Sequence, residues 1–284
     1  MPAEETGMFL NTIVTRRSFG LLRVLDLEGA YKPLLPEILR KFLHLKYLGL
    51  RWTFLDSLPK SIGNLRYLET LVVEHTNIIT LPSSIWKAKN LWHLYLNEIH
   101  FDVSLQRPSD GSLTNLRTLW GVYCNKSLVY NCLNKLTAIS KLGLTFNSTS
   151  VEAIAEWISH LTNLQSLRLR SSNEFDRPEA LMLGTMIAHQ KLSDLYLLGQ
   201  LPRAIQEHEL PPNLKILTLL ASKLEQDPML VLGQLCHLNI LRFLGNSLKE
   251  EWIICLPNRF PELCVLKLRM LEKLEKWIVE EGTC

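Results

Sequence analysis

Protein chemistry begins with side chains that carry protons, metals or electron pairs, and this 284-residue chain offers eight histidines and six cysteines. The cysteines stand at 124, 132, 236, 255, 264 and 284, with no C-x-x-C pair and no clusters at the chain ends. That spacing argues against a zinc or disulfide framework and for reduced, structural thiols in a cytoplasmic protein. None of His44, His93, His160, His189 and His237 belongs to H-E-x-x-H, and no serine lies in a G-x-S-x-G elbow. No G-x-x-x-x-G-K-[ST] loop is present to cradle phosphates. No catalytic residue, metal ligand or cofactor site is expected, and the chain is not expected to be an enzyme.

The chemistry that remains is non-covalent recognition. Large aromatic side chains with polar tips, and cations beside aliphatic groups, are the stuff of protein interfaces. One such set is Tyr47, Arg51, Trp92, His93, Tyr95 and Trp120, with Tyr123 close by. The other interleaves Arg168, Arg170, Tyr196, Arg242, Lys267 and Arg269 with Ile216, Ile240 and Val265, and adds Leu198, Leu220 and Leu244. For the aromatic set the alternative is that the rings stack on one another. For the second set it is cover by the chain's own loops, or a mistaken register.

What positions these residues is a repeat. The pattern L-x-x-L-x-L occurs at Leu22-Leu25-Leu27, Leu45-Leu48-Leu50, Leu68-Leu71-Val73 and Leu91-Leu94-Leu96, each starting 23 residues after the last. It continues from Leu116 (with Leu119 and Gly121), Ile139, Leu164, Leu192, Leu214, Leu238 and Leu263, giving eleven units spaced by 22 to 28 residues. Side chains alternate along a strand, so the fourth and sixth positions point to one side and the third, fifth and seventh to the other. A single turn cannot bury its leucines alone, so turns stack. The expected fold is α/β: a leucine-rich-repeat solenoid, a curved horseshoe with a parallel sheet on the concave face and short helices and loops on the convex face. The second, third, fifth and seventh positions then face the concave side, and both candidate sets occupy them.

Convex segments are legible too. Leu58-Pro59 and Leu81-Pro82 place prolines where the chain turns back without joining a sheet. Val151, Ile154, Ala155 and Ile158 share a helical face, and Asp227-Pro228 before Met229 reads as a helix start. Residues 1–20 are expected to be a flanking or cap segment and 21–284 the repeat domain. No polar cap follows Trp277, so a piece of a longer protein or a truncated gene product is expected.

With 31 basic against 28 acidic residues, net charge is +3, which makes no case for nucleic acid. No apolar run approaches the ~20 residues of a membrane span, and Glu4 and Glu5 spoil a signal segment. The sequons Asn125-Lys126-Ser127 and Asn147-Ser148-Thr149 are then expected to be chance matches.

The run Leu21-Leu22-Arg23-Val24-Leu25-Asp26-Leu27-Glu28-Gly29 resembles the first repeat of plant nucleotide-binding leucine-rich-repeat disease-resistance receptors of the coiled-coil class. Thr53-Phe54-Leu55 before Leu58-Pro59-Lys60-Ser61-Ile62, and Leu274-Glu275-Lys276-Trp277 with Glu280-Glu281-Gly282, are similar to the same family. The resemblance implies a ligand-recognition and autoinhibitory region of an intracellular plant immune receptor acting in defence against pathogens. Its partners would be a pathogen effector or host target, and a nucleotide-binding domain normally upstream. The alternative is a general assembly scaffold, such as a substrate-recruiting subunit of a ubiquitin-ligase complex.

Overall fold

Each leucine pattern closes one turn of chain around a short strand. The computed structural model describes residues 21–35, 44–101, 113–201 and 204–280, together with Glu5, Met8, Phe9, Thr12, Leu39 and Phe42. The flanking segment 1–20 therefore lies, but for four of those residues, outside the described residues, as does 281–284. Two compact units form, Met1–Ile139 and Ser140–Cys284.

In the first unit, β1 (Val24–Asp26), β2 (Tyr47–Gly49), β3 (Thr70–Val72), β5 (His93–Phe101) and β6 (Thr118–Tyr123) pair in parallel in that order. In the second, β7 (Lys141–Phe146), β8 (Ser166–Ser171), β9 (Asp194–Leu198), β10 (Ile216–Leu220), β11 (Ile240–Leu244) and β13 (Val265–Arg269) do the same. This is the α/β leucine-rich-repeat solenoid architecture. The alternation holds from β2 to β11: Leu48, Leu50, Leu71, Leu94, Leu167 and Leu217 are all at most 1% exposed, while third-position residues such as Tyr47, His93 and Ile216 are half-buried; in β13, Leu266 and Leu268 are 39% and 38% exposed.

The register departs from the simple pattern at one place. Tyr95 faces Trp120, but the next partners are Ile99 and Val122, so β5 bulges by two residues. The carbonyl of Leu96 then occupies the space beside Gly121: a Cβ there would lie 2.0 Å from that oxygen, and Gly121 has φ +75°. The sixth-position role expected of Gly121 passes to Val122, which is fully buried.

A second regularity lies at the eighth position of seven repeats, past the strand end in six of them and inside the β5 bulge at Glu98. Gly29, Trp52, His75, Glu98, Ala221, Gly245 and Met270 all have φ between +54° and +75°. This conformation directs the amide onto the next turn: Gly29 N–H donates to Arg51 O at 3.0 Å, Ala221 N–H to Leu244 O at 3.1 Å and Gly245 N–H to Arg269 O at 3.0 Å. Residues other than glycine bear roughly 1 kcal/mol of left-handed strain there.

On the return side, Pro59 and Pro82 precede 3₁₀ turns at Lys60–Asn64 and Ser83–Lys87, their φ of −67° and −65° matching the ring's constraint. Return segments are less uniformly loops and helices than expected. β4 (Thr80–Leu81) pairs with the end of β5, and β12 (Trp252–Cys255) pairs with β14 (Lys276–Val279). The runs Trp252-Ile253-Ile254 and Trp277-Ile278-Val279 are aromatic and β-branched, which suits a strand better than a helix. The helix Val151–Ser159 buries Val151, Ala153, Ile154, Trp157 and Ile158, with Ala155 only half-buried. Asp227 accepts the Met229 amide at 2.9 Å at the start of the helix Met229–Leu232, and its other oxygen accepts the Ile254 amide at 2.8 Å.

Both sequon asparagines accept local hydrogen bonds, and Asn125 caps a helix. Asn125 Oδ1 accepts the Leu128 amide at 2.8 Å ahead of the helix Lys126–Asn131, and Asn147 Oδ1 accepts the Thr149 and Ser150 hydroxyls at 2.6 and 3.3 Å.

Cys124, Cys132 and Cys255 are buried thiols, whereas Cys236 and Cys264 are exposed, so among the described cysteines the expected structural role fits the first three. Burial pushes the Cys124 thiol up to about 12, leaving roughly one thiol in ten thousand ionised near pH 8. Mild alkylation of the native chain at about pH 8 is expected to mark Cys236 and Cys264 and to spare Cys124 until the chain is unfolded. Peptide mapping that found Cys124 marked as fast as Cys264 would contradict the packing around it.

Candidate protein-binding faces

The open face of the first unit is ordered in rows by strand pairing. The third-position row runs Val24, Tyr47, Thr70, His93, Thr118 and the fifth Asp26, Gly49, Val72, Tyr95, Trp120. His93, Tyr95 and Trp120 thus lie on adjoining strands, with Trp92 immediately before β5, while Tyr47 and Arg51 lie across β3 from them. Arg117 covers the Trp92 ring at 5.1 Å, His93 Nδ1 meets the Thr118 hydroxyl at 3.0 Å, and the His100 and Tyr123 rings meet at 4.3 Å, tilted by 35°. The rings are therefore held by their neighbours, yet Trp92 remains 40% exposed and Tyr95 and Trp120 half-buried. Stacking and availability are combined, which is the condition for a rigid anchor that loses little entropy on binding.

Tyr47 lies across Gly49, where a Cβ would come within 2.9 Å of its ring. Burial, reinforced by the Asp26 carboxylate, raises the Tyr47 phenol above its ordinary value. Arg51 is ion-paired with Glu74, a hydrogen bond that raises the guanidinium further. Tyr47 and Arg51 are thus more fully engaged within the chain than Trp92.

Sequence reasoning missed an aromatic edge beside this face. Trp52 and His75 stack at 3.8 Å with their planes 6° apart, and Tyr31 approaches Phe54 at 6.0 Å. Trp52 and His75 occupy the left-handed eighth position. The signal was the glycine at 29, which marks that position in the first repeat.

In the second unit the aligned rows run Ser166, Asp194, Ile216, Ile240, Val265 at the third position; Arg168, Tyr196, Thr218, Arg242, Lys267 at the fifth; and Arg170, Leu198, Leu220, Leu244, Arg269 at the seventh. Instead of rimming an apolar strip, the cations of the fifth position form a central lane with aliphatic residues on both sides. Arg168 sits 4.8 Å over the Tyr196 ring, Arg242 donates to the Thr218 hydroxyl at 3.2 Å, and Arg170 pairs with Asp176 at 3.2 Å. Ile216, Ile240 and Val265 are half-buried, Leu198 is buried, and Lys267 and Arg269 are exposed.

Among the described residues no group of three or more His, Cys, Asp or Glu side chains is placed to hold a metal ion, and no helix is long and apolar enough to cross a membrane. His189, fully buried, contacts the Ile158 carbonyl through Nε2 at 3.0 Å at the end of the helix Val151–Ser159.

One-strand turns that bury a leucine ladder and present ordered rows of aromatic, cationic and aliphatic side chains define a repeat-built protein-binding domain. The family model described as leucine-rich repeat region matches residues 7–282, and the chain belongs to that family. It is similar to two Arabidopsis thaliana proteins: disease resistance protein RPP8, 29% identical over 61% of this chain and 19% of the relative, and disease susceptibility protein LOV1, 30% identical over 60% and 19%. The resemblance to plant disease-resistance leucine-rich-repeat regions thus holds, and the chain spans about a fifth of the length of these relatives. In fold it is similar to the repeat ectodomain of the Arabidopsis receptor kinase GASSHO1/SCHENGEN3, with TM-score 0.64 and 22% identity over 87% of this chain and 30% of that one. A Leptospira interrogans leucine-rich-repeat protein aligns with TM-score 0.52 and 21% identity over 92% of this chain and 79% of that one.

Proposed function

We propose that this chain is the ligand-recognition and autoinhibitory region of an intracellular plant immune receptor, acting in the cytoplasm in defence against pathogens. The face around Trp92, Tyr95 and Trp120, with His93, Tyr47 and Arg51 beside it, docks onto a nucleotide-binding domain and restrains it. The face from Arg168 to Arg269, including Arg170, Tyr196, Ile216, Ile240, Arg242, Val265 and Lys267, meets the pathogen effector or a host target. The observation that carries this reading is the ordering of exposed anchor side chains on a backbone-bonded sheet, in a chain similar to disease resistance proteins.

Two variants of the full chain separate the two roles. Co-expressed in leaf tissue with the nucleotide-binding module of a disease-resistance relative, the wild-type chain is expected to suppress the module's spontaneous cell death. A Trp92→Ala/Trp120→Ala variant is expected to release it, since truncating buried aromatic anchors costs ~2 kcal/mol or more of binding each. Arg242→Ala with Lys267→Ala is expected to keep suppression and the wild-type melting temperature while losing the response to pathogen proteins. A chain that never suppresses the module sinks the restraint role, and an unchanged response in the second variant sinks the ligand role.

A further inference from the structure

The charge pattern of the second unit says more about its partner, on the reading that this face is the ligand surface. The third, fifth and seventh positions of β10, β11 and β13 supply nine outward residues, of which three are cations, Arg242, Lys267 and Arg269, and none is a carboxylate. None of the three forms an ion pair among the described residues. Arg242 is aimed by its bond to Thr218, which is itself 3% exposed. Ile216, Ile240 and Val265 line up in register on one side of this lane, and Leu220 and Leu244 on the other, all half-buried.

We infer that this surface selects a protein partner through a segment carrying carboxylates and aliphatic side chains on one face. The carboxylates lie over the lane of Arg242 and Lys267, and the aliphatic groups fill the flanking rows. Three uncompensated cations on adjoining strands repel a basic segment and draw an acidic one, and desolvation by the aliphatic flanks strengthens the attraction. A nucleic acid strand supplies anions but leaves the aliphatic rows wet. The ring that could stack its bases, Tyr196, is covered by Arg168.

The test is fluorescence anisotropy of the full chain with a labelled peptide of alternating glutamate and leucine, against its lysine-leucine counterpart, oligodeoxythymidine and phosphatidylserine vesicles. The acidic peptide is expected to bind, more weakly as salt rises. Arg242→Glu and Lys267→Glu should each weaken it by roughly tenfold or more, and Arg242→Gln by less. Ile240→Ser should also weaken it, whereas Lys141→Glu, on β7, should not. Equal binding of the acidic and basic peptides, or an Ile240→Ser variant that binds like wild type, overturns the inference. So does preferential binding of the oligonucleotide or the vesicles. If the acidic peptide does not bind although Arg242→Ala with Lys267→Ala still abolishes the response to pathogen proteins, the acidic preference falls and the ligand face stands.

Discussion

Leu71→Asp is expected to abolish the cooperative melting of the first unit, while Thr70→Asp, one residue earlier, changes it little. Leu71 is fully buried on the inner side of β3, and its neighbours Leu48 and Leu94, paired with it in register, are equally buried. The substitution removes about 2–3 kcal/mol of apolar burial and places a carboxylate where no cation or donor can meet it, a further cost of several kcal/mol. Together these rival the ~5–15 kcal/mol that holds an ordinary domain folded. Thr70 points to the open face and is half-buried, so an aspartate there reaches water. In the second unit, Leu167→Asp against Gln165→Asp, at an exposed position just before β8, repeats the comparison. Thermal melts by circular dichroism decide it: wild-type transitions for Leu71→Asp or Leu167→Asp would mean that the inward register has been assigned to the wrong residues.

Gly121→Ala is expected to destabilise the first unit by about 3 kcal/mol or more, and Gly29→Ala by only about 1 kcal/mol. The two glycines share the same φ of +75°, so backbone strain is common to both. They differ in surroundings: nothing lies within 4 Å of a Cβ at Gly29, whereas at Gly121 it would collide with the Leu96 carbonyl at 2.0 Å and its carbon at 2.6 Å. Relieving that clash means moving the bulge of β5 against β6 and disturbing Ile99 and Val122 in the core. Urea titrations of the two variants separate strain from collision. Equal losses would show that the bulge yields freely.

The fold was legible because the repeat is redundant. Every leucine at the first and fourth positions from the second repeat to the tenth carries the same message, so one misread unit cannot alter the answer. The exceptions arose where local order departs from the consensus: at Gly121 the pattern assigned an inward side chain to a residue that has none, and the bulge supplied Val122 instead. The β12–β14 pair was missed because the leucine pattern says nothing about return segments. The candidate faces were half legible. Register located Trp92, Trp120, Arg242 and Lys267 on the open side, but Trp52 and His75 lie past the seventh position, where the pattern stops.

Sequence alone determined that this chain stacks one-strand turns, which leucines are buried in the second to tenth turns, and that it belongs among protein-binding repeats, because a leucine at a fixed offset needs a neighbour at the same offset in the next turn. Only the tertiary structure decided which outward side chains satisfy one another. Arg51 is neutralised by Glu74 from the following turn, Arg117 covers Trp92, and Arg242, Lys267 and Arg269 form no ion pair among the described residues. These pairings join residues about one repeat apart in sequence and about 5 Å apart in space. Variable spacing sets which of them face one another, so chemistry on the open face is fixed by stacking and not by any single repeat.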